Sequence, residues 1–302
     1  MWAWKADYSI LRMARLLKVS RAGYYAWVKR LDAAPGVRAQ RQDELDVLVR
    51  ASHDASGGVY VAPRVHADLV ADGWSVDRKT VAASMRRQGL EGVSPRAFRP
   101  VTTIPGADTH AISDSCERQW DQGDINAVWV SDIPPQVGGA PTYLRTTVGF
   151  VYLCIVMDAH SRRIVGWAMD SIQDHTLVER ALRMARTLRQ SDNTVVFHAD
   201  RGTQYTATST WQTCQELDLT QSMGRTGVCW DNAMAEAFWS ILKHEFYYRH
   251  SFNSRELAMQ ATAKWIEETY NRRRRHSAIG YETPVGYERK LSTNTQSEAN
   301  AA

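Results

Sequence analysis

Between Tyr8 and Lys29 the apolar residues Ile10, Met13, Ala14 and Leu17 recur at helical spacing. Lys18-Val19 turns the chain, and Ser20 stands where it can cap a second short helix. The same pattern returns at Pro63 to Val70, where Asp72-Gly73 breaks a helical run. A further helix starts near Asp77 and carries Val81, Met85 and Leu90. Its polar side bears Arg78, Lys79, Arg86 and Arg87, and helix, tight turn, basic helix is the helix-turn-helix arrangement, whose second helix can enter a major groove. The alternative is an amphipathic hairpin with a solvated charged face.

From Val93 to about Ala127 periodicity fades into a linker rich in Pro, Thr, Ser and Asp. The pattern then changes to strands, at Val128 to Ile133, Gly149 to Asp158 and Arg163 to Met169. An amphipathic helix over Thr176 to Leu188 follows, then a strand at Thr194 to His198, a helix at Ser209 to Leu217 and a strand at Leu219 to Met223. Helices at Ala233 to Tyr247 and Arg255 to Tyr270 complete the series. Three strands, then helix and strand in alternation, predict a mixed five-stranded α/β sheet flanked by helices and preceded by small all-α modules. The expected units are helical residues 1–92, a linker at 93–127, a catalytic core at 128–290 and a polar, disordered tail at 291–302.

Composition narrows the chemistry. Hydrophobic residues make up 44% of 302, enough for a sizeable core. No run of eighteen apolar residues and no signal-peptide core occurs, so a soluble cytoplasmic protein without membrane contact is expected. Cys116, Cys154, Cys214 and Cys229 lie far apart without a C-x-x-C pair, which argues against a zinc site or a disulfide framework. Residues 1–110 hold 17 Lys and Arg against 11 Asp and Glu, whereas the remainder holds 20 against 22. A basic N-terminal third on a near-neutral body suits a DNA-binding module joined to something else.

Three acids stand where sites form. Asp132 ends the first strand of the core, Asp200 follows the fourth, and Glu236 lies in the first turns of a helix. Such positions can converge at one edge of a sheet. Carboxylates are hard oxygen ligands suited to magnesium, and two such ions can stabilise both oxygens of an in-line phosphoryl displacement. Singly, each acid has a structural alternative as a turn or solvated helix residue. Asp231 and Asp158 compete with them, but Asp231 better fits an N-cap and Asp158 a structural turn. Lys243, two helical turns after Glu236, projects from the same face. Arg272, Arg273, Arg274 and Arg275 with His276 read as a phosphate-binding cluster, the alternative being a solvated helix end.

Thirty-five residues separate Asp200 from Glu236, a spacing that resembles the D-D-35-E pattern of retroviral integrases and many bacterial transposases. Five ordered segments sharpen the likeness: Trp129 to Asp132, Asp158 to Trp167, His198 to Tyr205, Asp231 to Glu236 and Tyr270 to His276. Together they resemble the second-reading-frame protein of the insertion-sequence family numbered three, over about Tyr24 to Tyr287. The resemblance implies a ribonuclease-H-like core in which Asp132, Asp200 and Glu236 hold two Mg2+ ions, with Mn2+ able to substitute. It implies hydrolysis of a phosphodiester at an element end, then attack of the freed 3′-hydroxyl on another, with no covalent protein–DNA intermediate. It further implies double-stranded DNA as partner (element ends and target), bound by Lys243, the Arg272–Arg275 run, His276, Arg78 and Lys79. A homo-oligomer on DNA at the bacterial nucleoid is implied too, with an upstream-frame DNA-binding protein or fusion as a possible partner. The chain departs from the family pattern at Pro134-Pro135, which should end the strand just after Asp132 and leaves a catalytically weakened DNA-binding remnant as the alternative.

Overall fold

The computed structural model describes residues 1–32, 36–93, 112–116, 119–133, 144–190, 194–224 and 233–301. Its N-terminal hairpin pairs α1 (Ile10–Leu16) with α2 (Arg21–Asp32). Ser9 caps α1, Lys18 adopts a left-handed φ of 52° at the turn, and Gly23 N–H donates to Ser20 Oγ at 2.9 Å.

A three-helix unit follows, made of α3 (Val37–Ala55), α4 (Ala62–Ala71) and α5 (Arg78–Arg87) around Leu45, Val49, Val65, Leu69, Val81 and Met85. Gly73, at φ 87°, makes the turn after α4, and the Asp77 carboxylate caps α5 by accepting from Lys79 N–H at 2.7 Å. The sequence pattern does not reveal α3. Only Leu45, Val49 and His53 are buried along its nineteen residues, so its apolar stripe is one residue wide within a charged segment. Asp46 on α3 takes Ser84 and Arg87 of α5, which locks the unit.

The core holds a mixed sheet of β1 (Val128–Asp132), β2 (Leu144–Thr146), β3 (Gly149–Asp158), β4 (Ile164–Asp170), β5 (Val195–Ala199) and β6 (Leu219–Met223). Its order is β2-β3-β1-β5-β6, with β4 along the other side of β3. The β1–β3 and β3–β4 pairs are antiparallel, whereas β1–β5 and β5–β6 are parallel. The five expected strands are therefore joined by β2, whose three residues are too few to show a period.

Helices α6 (His175–Leu188) and α7 (Thr208–Glu216) cover one face. Gly166 on β4 lets α6 come close, since a Cβ there would lie 2.2 Å from the Ala181 carbonyl oxygen. The other face meets α8 (Ala233–Ile241), its π-helical continuation Leu242–Phe246, and α9 (Arg255–Lys264) with its own π-helical end Trp265–Tyr270. The polar segment 291–301 continues α10, which spans Pro284–Ala301. Glu288 on α10 is held by Arg163, Arg189 and Ser161, which anchors the start of that helix to the sheet. No described helix is long and apolar enough to cross a membrane.

Candidate active site

Strands β1 and β5 run parallel with Val128 opposite Val196 and Val130 opposite His198. Continued two residues, that register sets Asp132 level with Asp200 at the carboxyl ends of neighbouring strands. Side chains alternate along a strand, and Val128, Val130 and Val196 pack on the face covered by α8. Asp132 shares their parity, and so does Asp200. Trp129, Phe197 and Ala199 point the other way, toward α6.

The supports differ for each acid. Asp132 is 4% exposed and accepts the indole N–H of Trp239 on α8 at 3.0 Å. Asp200 begins a tight turn in which its carboxylate accepts Gly202 N–H at 3.0 Å. A buried hydrogen bond of 2.9 Å between Tyr205 and Ser131 ties that turn to the strand carrying Asp132. Arg201 fastens it further by donating to the Gly224 and Ile112 carbonyls. Glu236 lies half-buried in the first turn of α8, which packs on β1.

The electrostatics are those of an uncompensated acidic cluster. Burial pushes Asp132 well above the ordinary carboxylate range, the charge of Asp200 and then that of Glu236 push it further, and the Trp239 bond partly opposes them. Burial also raises Asp200. Glu236 is raised by burial first and then by Asp200. Among the described residues none of the three takes part in a salt bridge, although Lys243 feels the charge of Asp132 while burial depresses its own pKa. As they stand, no three described His, Cys, Asp or Glu side chains converge tightly enough to hold one metal ion. The donor set nonetheless fits hard divalent cations, because it consists of oxygens only and carries negative charge that no paired cation neutralises.

The residues expected to bind DNA fall into two groups. Arg78 and Lys79 are exposed at the start of α5, and Arg272 and Arg273 are exposed beyond α9. The rest of the run is turned inward, which corrects its reading as one phosphate-binding cluster. Arg274 is 3% exposed and grips Glu245 through Nε and Nη2, both at 2.7 Å. Arg275 pairs with Asp68 on α4 and donates to the Tyr281 carbonyl at 3.0 Å. His276 is buried, and burial followed by the charges of Arg274, Arg64 and Arg162 holds it well below the usual imidazole range.

Asp158 is structural, as expected. Its carboxylate accepts the N–H groups of Asn126, His160 and Ser161, and it lies opposite Trp129, toward the far end of β1 from Asp132. Asp231, Cys229 and Pro134-Pro135 lie outside the described residues. Sequence reasoning missed Trp239 as a partner of Asp132. The available signal was its place three residues after Glu236, on the same helical face.

The chain is similar to known proteins over nearly its full length. Models described as integrase core domain match residues 124–229 and 217–284, and one described as HTH-like domain matches residues 40–98. A transposase, InsF for insertion sequence IS3A of Escherichia coli (strain K12), is 37% identical over 287 residues, covering 95% of this chain and 96% of the relative. An uncharacterized 31 kDa protein of insertion element IS600 from Shigella sonnei is 31% identical over 92% of this chain and 98% of its own length. Among solved structures, the HTLV-2 integrase catalytic core domain in complex with magnesium aligns at a TM-score of 0.40 and 12% identity, over 54% of this chain and 96% of that one.

Proposed function

The chain belongs to the transposases of the insertion-sequence IS3 family, and from that membership we propose that Asp132, Asp200 and Glu236 are the carboxylates with which it cuts and joins DNA. As a DDE transposase it is a polynucleotidyl transferase acting in DNA recombination and transposition. The observation that carries the assignment is geometric. Two carboxylates stand level on adjacent parallel strands, beneath the helix bearing the third, and none has a cationic partner among the described residues.

Two Mg2+ ions, or Mn2+ in their place, would supply charge to stabilise the attacking and leaving oxygens of an in-line displacement. Asp132, Asp200 and Glu236 would hold these ions. Trp239 fixes one oxygen of Asp132, and the turn from Asp200 to Tyr205 is anchored independently through Ser131. In the first step water opens a phosphodiester at an element end and leaves a 3′-hydroxyl. In the second that hydroxyl attacks a target phosphodiester and displaces its 3′-oxygen, so no bond to protein forms at either stage. Lys243, which feels the charge of Asp132, meets the phosphate of the reacting strand under this reading. The DNA is double-stranded, element ends and target alike, and is engaged by an oligomer of this chain at the bacterial nucleoid. An upstream-frame DNA-binding protein or fusion is a further partner under this reading.

A strand-transfer assay tests it. Oligonucleotide duplexes carrying the element's own ends are incubated with protein and Mg2+ or Mn2+, and joined products are scored alongside cleaved ones. Metal-dependent joining of a supplied 3′-hydroxyl end is the expected result. Cleavage without joining would make the chain a plain nuclease, and binding without cleavage would make it a DNA-binding remnant.

A further inference from the structure

We propose that Trp239 is a positioning residue for the reaction, holding the Asp132 carboxylate in its ligating orientation through the indole N–H. The inference rests on the reading of Asp132 as a metal ligand.

An indole offers one donor and no acceptor, so it can only hold an oxygen acceptor in place. Here Trp239 Nε1 lies 3.0 Å from Asp132 Oδ2, and the two residues are 5% and 4% exposed, away from competing water. Among the described residues no other side chain donates to Asp132. The ring itself cannot swing. It packs edge-on against Phe238 with centroids 5.2 Å apart, within the cluster that includes Val128, Val130 and Leu242. The carboxylate is therefore oriented by a side-chain donor whose place the core sets, alongside the backbone N–H of Ile133. Trp239 also lies three residues after Glu236, so one hydrogen bond fastens the helix of the third acid to the strand of the first. Partners that orient metal ligands in this way commonly govern metal affinity.

The experiment removes the donor and keeps the ring. A sulfur isostere of tryptophan installed at position 239 preserves shape without an N–H, and Trp239→Phe gives a genetically simple second variant. Mn2+ binding to the DNA-free protein is followed by electron paramagnetic resonance, and cleavage is measured against Mn2+ concentration. Both variants should bind Mn2+ about ten- to a hundredfold more weakly. Saturating Mn2+ should restore most of the cleavage rate, because the ligands themselves remain. Phe252→Leu, which disturbs the same core cluster away from Trp239, should lower the thermal midpoint and leave the Mn2+ midpoint where it is. An isostere variant with a wild-type Mn2+ midpoint, while Asp132→Asn abolishes binding, would overturn the role of Trp239 and leave Asp132 in the site. Wild-type binding and cleavage by Asp132→Asn would remove Asp132 from the site, and the proposal with it.

Discussion

Glu236 and Glu245 lie nine residues apart on one continuous helical stretch and have opposite surroundings. Glu245, on the π-helical extension of α8, is buried between two guanidinium groups. Arg274 grips it with two 2.7 Å bonds, and Arg64 of α4 adds a third at 3.1 Å. Glu236 faces two other carboxylates and forms no ion pair among the described residues. A buried acid costs several kcal/mol unless it is paired, and the fold pairs the buried Glu245 and Glu288, and the partly exposed Asp68, with arginine. The acids at the carboxyl ends of β1 and β5 are left in mutual repulsion. Paired acids hold the helix-turn-helix unit and α10 onto the core, whereas the unpaired ones are, on the proposed reading, left for a cation that arrives from solution.

The largest effect should come from the unpaired side. Asp132→Asn, Asp200→Asn and Glu236→Gln each keep size and lose charge, and each should reduce cleavage on the order of a thousandfold or more while leaving folding and DNA binding intact. Because the ligands act as a unit, double variants should be no worse than singles. Near wild-type cleavage by any one of them, measured on end duplexes at saturating Mg2+, would break the comparison at that residue.

The same isosteric change nine residues on should do something different. Glu245→Gln strips the charge that Arg274 and Arg64 were buried to meet, so it should destabilise the fold by about 3–5 kcal/mol. Urea unfolding followed by circular dichroism reads this directly. Limited proteolysis between residues 93 and 112 should accelerate as the helix-turn-helix unit loosens from the core. If Glu245→Gln unfolds at the wild-type urea midpoint but loses cleavage, it belongs with the catalytic acids, and the division drawn here fails.

How much of this was readable in the residue order depends on range. Strand β6 at Leu219–Met223 and the start of α8 at Ala233 follow from local pattern, and the fold class follows from the order of such pieces. The positions of the three acids, at or just past strand ends and at a helix start, were legible from local pattern. The arginine run was misread because its four identical charges look equivalent along the chain. What separates Arg274 and Arg275 from Arg272 and Arg273 is the presence of Glu245 and Asp68, 29 and 207 residues away in sequence. The bond from Trp239 to Asp132 spans 107 residues and is equally invisible. Helix α3 and the later part of α10 escaped for another reason, since a helix with a narrow or absent apolar stripe leaves no period to detect.

A smaller effect separates the two kinds of acid by pH. In the metal-free chain Asp132, Asp200 and Glu236 are all raised, by burial first. The folded state thus holds protons more tightly than the unfolded chain. Stability contributed by the protonated groups is present at low pH and is lost as pH rises from the ordinary carboxylate range through the raised native values. Asp132→Asn should therefore raise the thermal midpoint of the metal-free protein at pH 8, and raise it less at pH 5. Added Mg2+ should stabilise wild type more at pH 8 than at pH 5. A midpoint lowered by Asp132→Asn at pH 8 would mean that its charge is compensated after all.

The subtlest consequence concerns the arginines that the fold leaves on the surface. Among the described residues the side chains of Arg272 and Arg273 take no part in the buried network, and the Arg273 backbone carbonyl that accepts the Tyr60 hydroxyl at 2.8 Å survives truncation, so their replacement by alanine should leave the urea midpoint unchanged. If they meet DNA phosphates, each contact neutralised releases counterions, and the slope of log affinity against log salt should fall by about 1.8 for the pair. The loss should be equal on element-end and random duplexes, because phosphates carry no sequence. Arg78 and Lys79 begin the second helix of a helix-turn-helix unit, the part of that arrangement with which proteins of this kind read base edges. Their alanine variants should lose affinity mainly for element ends and so narrow the gap to random DNA. Fluorescence anisotropy on both duplexes across a salt series decides between these roles. Arg274→Ala serves as the contrast, because it should change the urea midpoint before it changes any salt slope. An unaltered slope for the Arg272–Arg273 pair would leave those two as solvated charges, and identical losses on both duplexes for Arg78 and Lys79 would reduce α5 to a phosphate contact.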